Sequence, residues 1–203
     1  MTEWPVTIAA EGALDLAVLR RLAREADLTL NLEYGRRGKA HIDQRLPAYN
    51  AAARHQPWIV LRDLDNDRDC AVELVMHLLP APARLMKFRI AVRTVEAWLL
   101  ADHERFKTAF GVAARAIPTV PESVDRRNAA MLEAISRSNR REIKSAMLSK
   151  LASGGWHVGP EYNARLEQFA SEIWQPRVAE TRSASLAKAR VRIQELAKLV
   201  RQR

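Results

Sequence analysis

Trp58-Ile59-Val60-Leu61-Arg62-Asp63-Leu64-Asp65 is the stretch that decides the fold. Four apolar residues rich in β-branched and aromatic side chains read as a strand buried on both faces. The run then ends in two carboxylates, where a strand would hand over to a loop, and in open α/β sheets that edge is where ligands bind. Side chains alternate with period two along an extended segment, so Asp63 and Asp65 are expected on the same side. Working back, Val6–Ala10 is another buried strand; it ends at Glu11-Gly12, after which Leu14, Val18, Leu19 and Leu22 recur at helical spacing. Residues 28–32 can form a second strand, followed by the loop Gly35-Arg36-Arg37-Gly38-Lys39 and a helix to about Arg54.

Working forward, residues 71–79 read as a helix closed by Pro80 and Pro82. Residues 87–93 alternate strictly, with Phe88, Ile90 and Val92 on one face and Lys87, Arg89, Ala91 and Arg93 on the other, a fourth strand with one basic side. Residues 94–100 begin a helix that reaches about Phe110. Repeated strand-helix alternation implies a mainly parallel sheet with right-handed crossovers. Beyond Gly111 the pattern changes: Pro118 and Pro121 punctuate a linker, and no convincing strand follows. One helix carries Met131, Leu132, Ile135, Ile143, Met147 and Leu151, with a weak point at residues 136–139, and Gly154-Gly155 ends it. A second starts at Pro160 and stacks Tyr162, Leu166, Phe169 and Ile173 before Pro176; a third carries Leu186, Ile193, Leu196 and Val200. The expected fold class is α/β: a mainly parallel, Rossmann-like sheet flanked by helices over residues 1–112, with a basic α-helical region over 113–203 packing on it.

The chain of 203 residues carries a net charge of +9. Residues 1–110 hold 16 Lys/Arg against 15 Asp/Glu, whereas residues 111–203 hold 17 against 9, so the surplus sits in the C-terminal part. Such a bias favours an anionic partner such as a nucleic-acid backbone, although solvated helix faces alone would also produce it. The single cysteine, Cys70, excludes an intramolecular disulfide. The five histidines show no short zinc-ligand spacing. No signal peptide is evident and no apolar run approaches the ~20 residues of a membrane span, so a soluble, cytoplasmic protein is expected.

A strand-end glutamate plus Asp-x-Asp suits a hard divalent cation, Mg²⁺ or Mn²⁺, and phosphate chemistry. Glu11, Asp15, Asp63 and Asp65 are the candidate ligands, while Lys39, Arg62, Arg89 and Arg93 are candidates to hold substrate phosphates. Glu96 is either a first-turn helix residue favoured by the dipole or an additional site acid. Arg137, Arg140, Arg141 and Lys144 form the densest basic cluster of the C-terminal region and are candidates for nucleic-acid contact. Trp98, Tyr162 and Trp174 are assigned to packing. The run from Asp63 to Asp69 also reads as a solvated acidic turn. It is not a calcium-binding EF-hand loop, since Arg68 stands where the glycine is required and a strand precedes it. Nor does it fit a haloacid-dehalogenase phosphatase, whose Asp-x-Asp normally follows the first strand.

A strand ending in Glu11-Gly12, a helix, a strand, a helix and a strand ending in Asp63-Leu64-Asp65 together resemble the Toprim domain of topoisomerases, bacterial primases and overcoming-lysogenization-defect nucleases. Asp15, Arg93-Thr94-Val95-Glu96-Ala97-Trp98-Leu99-Leu100-Ala101-Asp102 and Gly159-Pro160-Glu161-Tyr162-Asn163 look like a group of small bacterial Toprim-like proteins often encoded beside an ATPase in presumed phage-defence loci. The resemblance implies that Glu11 does acid/base work or binds metal, that Asp63 and Asp65 hold the metal, and that Asp15 is a further acid. The leading expectation is a metal-dependent nuclease acting on DNA or RNA. The rivals are a non-catalytic nucleic-acid- or ATPase-binding subunit on the same scaffold and a phosphotransfer enzyme acting on nucleotides.

Overall fold

The computed structural model describes residues 4–124 and 128–202. Its first part runs β1 (Val6–Ala10), α1 (Ala13–Glu25), β2 (Leu30–Gly35), α2 (Lys39–Ala52), β3 (Trp58–Asp63), α3 (Ala71–Leu78) and β4 (Met86–Ala91). The four strands form an all-parallel sheet in the order β2-β1-β3-β4. β1 and β3 are its two inner strands and so are nearly continuous apolar runs. β2 is an edge strand, largely exposed, and its hydrophobic signal is correspondingly weak.

That weakness explains an offset. The strand expected at residues 28–32 lies at Leu30–Gly35, because Leu28 belongs to the end of α1. Asp27 takes a left-handed conformation (φ 51°), and the Leu28 and Asp27 amides donate to the carbonyls of Ala23 and Arg24, satisfying the last turn of the helix. The expected helix from Thr94 to Phe110 is two helices, α4 (Val95–Leu100) and α5 (His103–Phe110). The break falls at Asp102, fully buried, whose Oδ2 accepts the Gln175 amide at 2.9 Å. That contact ties the break to a segment 73 residues further on, which no local pattern could announce.

The C-terminal part continues with α6 (Ala129–Ser136), α7 (Arg141–Met147), β5 (Leu148–Lys150), β6 (Trp156–Val158), α8 (Tyr162–Gln168), α9 (Pro176–Ala179) and α10 (Ala184–Arg201). The antiparallel β5–β6 hairpin corrects the expectation that no strand follows the linker. Three-residue strands are too short to show alternation, and Met147 and Leu151 continued a helical spacing by coincidence. Ser183 caps α10, accepting the Leu186 amide at 3.2 Å.

Helices cover both faces of the sheet. On one, Ile42, Leu46 and Tyr49 of α2 and Leu74 of α3 pack on Ala9, Trp58, Val60, Phe88 and Ile90. On the other, α1 packs on Ile8, Ile59 and Leu61 of β1 and β3 while α10 lies against β4 and α1, and the same core continues through Trp98, Phe106, Tyr162, Leu166, Phe169 and Trp174. Residues on both sides of the 112/113 boundary therefore share one contiguous core. The half-buried carboxylates of Glu25 and Glu180 bracket the buried Arg190 guanidinium, fastening α10 to α1 and to the short turn after α9. Among the described residues no helix is long and apolar enough to cross a membrane.

Gly35 closes β2 with φ 113°, and a Cβ there would stand 1.8 Å from the Ala10 carbonyl oxygen. Gly35→Ala is expected to cost roughly 3 kcal/mol or more from backbone strain and collision with a neighbouring strand. Urea denaturation checks this, whereas Gly38→Ala, where a Cβ meets nothing within 4 Å, carries only the cost of its φ of 75°.

Candidate functional site

The strand order reverses direction between β1 and β3, so the chain leaves these two neighbours towards different sides, and the C-terminal ends of such a pair are where open α/β sheets form a binding crevice. Glu11 follows β1 and Asp63 ends β3. They are joined directly, the Asp63 amide donating to Glu11 Oε1 at 3.0 Å. Asp63 Oδ1 in turn accepts the amide of Val95, the first residue of α4, at 3.0 Å. Asp15, in the first turn of α1, accepts the Gly12 amide on Oδ2 at 3.1 Å. A Cβ at position 12 would press on that same oxygen at 3.0 Å, so the Glu-Gly dipeptide lets the helix start close to its own carboxylate. Glu96, the second residue of α4, is buried, and Tyr162 of α8 directs its hydroxyl at Glu96 Oε1 at 3.5 Å, the outer limit of a hydrogen bond.

The electrostatics of this group are those of acids forced together. Burial raises the Asp15 pKa from 3.8 to about 7, with the charges of Glu96 and Glu11 adding to the effect. Burial also holds Asp63 well above the usual carboxylate range, reinforced in order by Asp15, Glu96, Glu11 and Asp65. Tyr162 is pushed up by burial and then by Glu96. Asp15 Oδ1 is buried with no hydrogen-bond partner among the described residues, a costly arrangement for an acceptor. Acids in this state either share protons or surround a cation.

Around this inner group lies a shell in which acids are already paired, and it corrects one expectation. Asp65 does not simply alternate with Asp63 along a strand: β3 ends at Asp63, and Asp65 sits in a turn at φ 51°. Its Oδ2 lies 3.3 Å from Lys39 Nζ, and its amide donates to the Arg93 carbonyl at 2.9 Å. Lys39, expected on a phosphate, also bonds Asp67 at 2.7 Å. Arg62 likewise holds protein acids: its side chain is 3% exposed, it grips Asp43 at 2.7 and 2.9 Å and Asp67 at 2.6 Å, and it donates to the Asp63 carbonyl at 2.7 Å. Even strand positions of β3 face α2, so Arg62 points to the opposite face of the sheet from Asp63. Arg89 lies beneath α10, where burial and then Arg192 lower its pKa, with Glu195 opposing them. Arg93 stays at the rim, donating to the Asp65 carbonyl at 3.2 Å.

The C-terminal basic cluster is also partly committed. Arg140 caps the end of α5 by donating to the carbonyls of Thr108 and Ala109, and Arg137 pairs with Glu133 at 2.5 Å. Arg141 is exposed and Lys144 half-buried on α7. Sequence reasoning placed Tyr162 in the core, where it is; its contact with Glu96, 66 residues away, had no signal in the sequence. Asp43 was missed, although Lys39 and Asp43 stand four residues apart on one helix and so share a face.

A donor set of carboxylate oxygens suits Mg²⁺ or Mn²⁺, and the partnerless Asp15 Oδ1 fits a cation in the crevice. As placed, no three His, Cys, Asp or Glu side chains among the described residues form a ready ligating group, so the carboxylates would have to close around an ion.

A titration follows from the raised pKa of Asp15. The unfolded chain releases this proton near pH 3.8 and the folded protein near 7, so across that interval the folded state binds more protons and stability falls as pH rises. Asp15→Asn is expected to remove this loss, on the order of a few kcal/mol between pH 4 and 7.5. Melting curves of wild type and variant against pH check it: their difference should widen with pH and stop growing above about 7. Parallel curves would contradict it.

No family model, curated protein or solved structure matches the chain.

Proposed function

We propose that the protein is a divalent-metal-dependent phosphodiester hydrolase of Toprim type, a nuclease, with Glu11, Asp15, Asp63 and Glu96 as its inner acids. The observation that carries this reading is the convergence of these four carboxylates at the β1/β3 reversal, with burial raising Asp15 to about 7 and Asp63 well above its usual range. The parallel strand order and the strand-end places of Glu11 and Asp63 support the Toprim likeness. Asp65 departs from the expected pattern by its pairing with Lys39, and Glu96 takes the inner place instead.

A bound Mg²⁺ or Mn²⁺ would polarise a phosphoryl oxygen and lower the pKa of a bound water. Asp63 and Asp15 are the acids most in need of a cation and would hold it, with Glu96 and Glu11 close enough to raise both. The Val95 amide fixes Asp63 Oδ1, and the Asp63 amide fixes Glu11 Oε1, so both carboxylates are oriented before substrate arrives. Lys39 and Arg62 hold Asp65 and Asp67 around the crevice, limiting the movement of the loop after β3.

Plasmid DNA, single-stranded DNA and RNA incubated with Mg²⁺, Mn²⁺ or EDTA test the reading. Wild-type cleavage should require metal, and Asp63→Asn should lower it by roughly two orders of magnitude or more. The same substitution removes a buried charge while keeping an oxygen for the Val95 amide, so the variant should melt no lower than wild type in EDTA. Metal-independent cleavage, or full activity in Asp63→Asn, would overturn the proposal.

One observation favours a second reading, a subunit that docks on a partner ATPase. Val72 and Met76 stand four residues apart on α3, 61% and 67% exposed, and offer an apolar surface. Partner binding abolished by Met76→Asp and untouched by Asp63→Asn would support it.

A further inference from the structure

At the β2 edge the chain builds an aromatic groove with basic walls, separate from the acidic crevice but joined to it through the backbone. Its lining includes Tyr34, Arg37, His41, Arg45 and Tyr49, with Glu33, paired to Arg20, as its one acid, and its volume is about 420 Å³. The groove depends on an irregularity in the sheet. β1 pairs Val6 with Leu30 but Ile8 with Glu33, so β2 carries one extra residue and its facing changes. Glu33 consequently turns to α1 and binds Arg20 there at 2.6 and 2.5 Å, while Tyr34 is set beside Ala9 on the α2 face. Tyr34 stacks on Trp58 with ring centroids 5.5 Å apart and planes 17° from parallel, and Tyr49 stacks on the same indole at 4.8 Å and 20°. Trp58 and Tyr49 are buried, whereas Tyr34, whose ring centroid also lies 6.0 Å from that of Tyr49, is 41% exposed, so the aromatic cluster reaches solvent at Tyr34.

The charge beside that ring is uncommitted. Arg37 and Arg45 are exposed, and neither has an ion-pair partner among the described residues, in contrast to Arg62 and Lys39 nearby. An exposed aromatic platform flanked by guanidinium groups is the arrangement that stacks a base and holds the adjoining phosphates of a single strand. Duplex bases are already stacked and cannot use the platform. The loop that presents Arg37 is pinned to the acidic crevice, with the Arg36 amide donating to the Ala10 carbonyl at 3.1 Å and the Gly38 amide to the Glu11 carbonyl at 3.0 Å.

We propose that this groove binds single-stranded nucleic acid, stacking one base on Tyr34 and holding the backbone with Arg37 and Arg45, beside the crevice at Glu11. As a statement about substrate the proposal rests on the nuclease reading; as a statement about binding it is tested without catalysis.

The test is fluorescence anisotropy of a short labelled single strand with the full chain in EDTA, so that metal-dependent cleavage plays no part. Tyr34→Ala is expected to weaken binding about tenfold and Tyr34→Phe to leave it within about twofold, since the ring carries the stacking. Arg37→Ala combined with Arg45→Ala, both exposed and remote from the core, should weaken binding about tenfold and reduce its salt dependence. An abasic strand should bind wild type as weakly as the normal strand binds Tyr34→Ala, and a duplex or a mononucleotide should compete poorly. Equal binding of normal and abasic strands, effective competition by duplex, or no effect of the double arginine variant would each overturn the proposal. Loss of cleavage with this pattern intact would overturn the nuclease reading alone.

Discussion

Repulsion among buried carboxylates at the β1/β3 reversal is the constraint around which the rest of the molecule is arranged. The charges that act most strongly on Asp63 are all acidic, and burial removes the water that would otherwise screen them. A fold selected for stability alone would place apolar residues there, as it does two residues earlier at Leu61. The acids are instead fixed by backbone amides at positions 12, 63 and 95, which orient them without neutralising them. An arrangement that raises proton affinity also raises affinity for a cation, because both relieve the same repulsion.

The surrounding cations sharpen this division. Arg62 and Lys39 could have quenched the inner group, yet Arg62 turns to the other face of the sheet and binds Asp43 and Asp67, while Lys39 lies on Asp65 and Asp67. Asp67 is thereby held below the usual carboxylate range, chiefly by Lys39 and then by Arg62, while Asp15 and Asp63 are held above it. Asp67, in the loop after β3, and the pair of Asp63, at the end of that strand, and Asp15, in α1, therefore shift in opposite directions. The first is ionised and structural; the second is the one equipped to exchange protons or bind metal.

The parts legible in sequence were those governed by short-range rules. Buried inner strands gave uninterrupted apolar runs, so β1 could be placed to the residue and β3 by its first residue, with Glu11 and Asp63 at their ends. The edge strand β2 could not, because half of its surface faces water and Leu28 serves the helix cap. The direction of side chains after β3 was also illegible: alternation holds only while the backbone is extended, and the turn at Leu64-Asp65 ends it. The inward role of Glu96 depended on where α4 begins, and Tyr162 and the break at Asp102 depended on contacts across more than sixty residues. Charge counting gave a basic C-terminal region but could not see that Arg140 caps a helix or that Arg190 joins two others. Nor could it see the groove of Tyr34, Arg37 and Arg45, which lies in the half of the chain that is nearly neutral by count and arises from one extra residue in β2.

The central claim is that the inner acids exchange protons for a divalent cation. Mn²⁺ titration near pH 7 followed by calorimetry in two buffers of different ionisation enthalpy measures binding and proton release together. The account predicts saturable binding that releases protons, with Asp15→Asn releasing fewer and Asp63→Asn binding at least tenfold more weakly. Saturable binding unchanged by both substitutions, or no binding by a folded wild type, would contradict it.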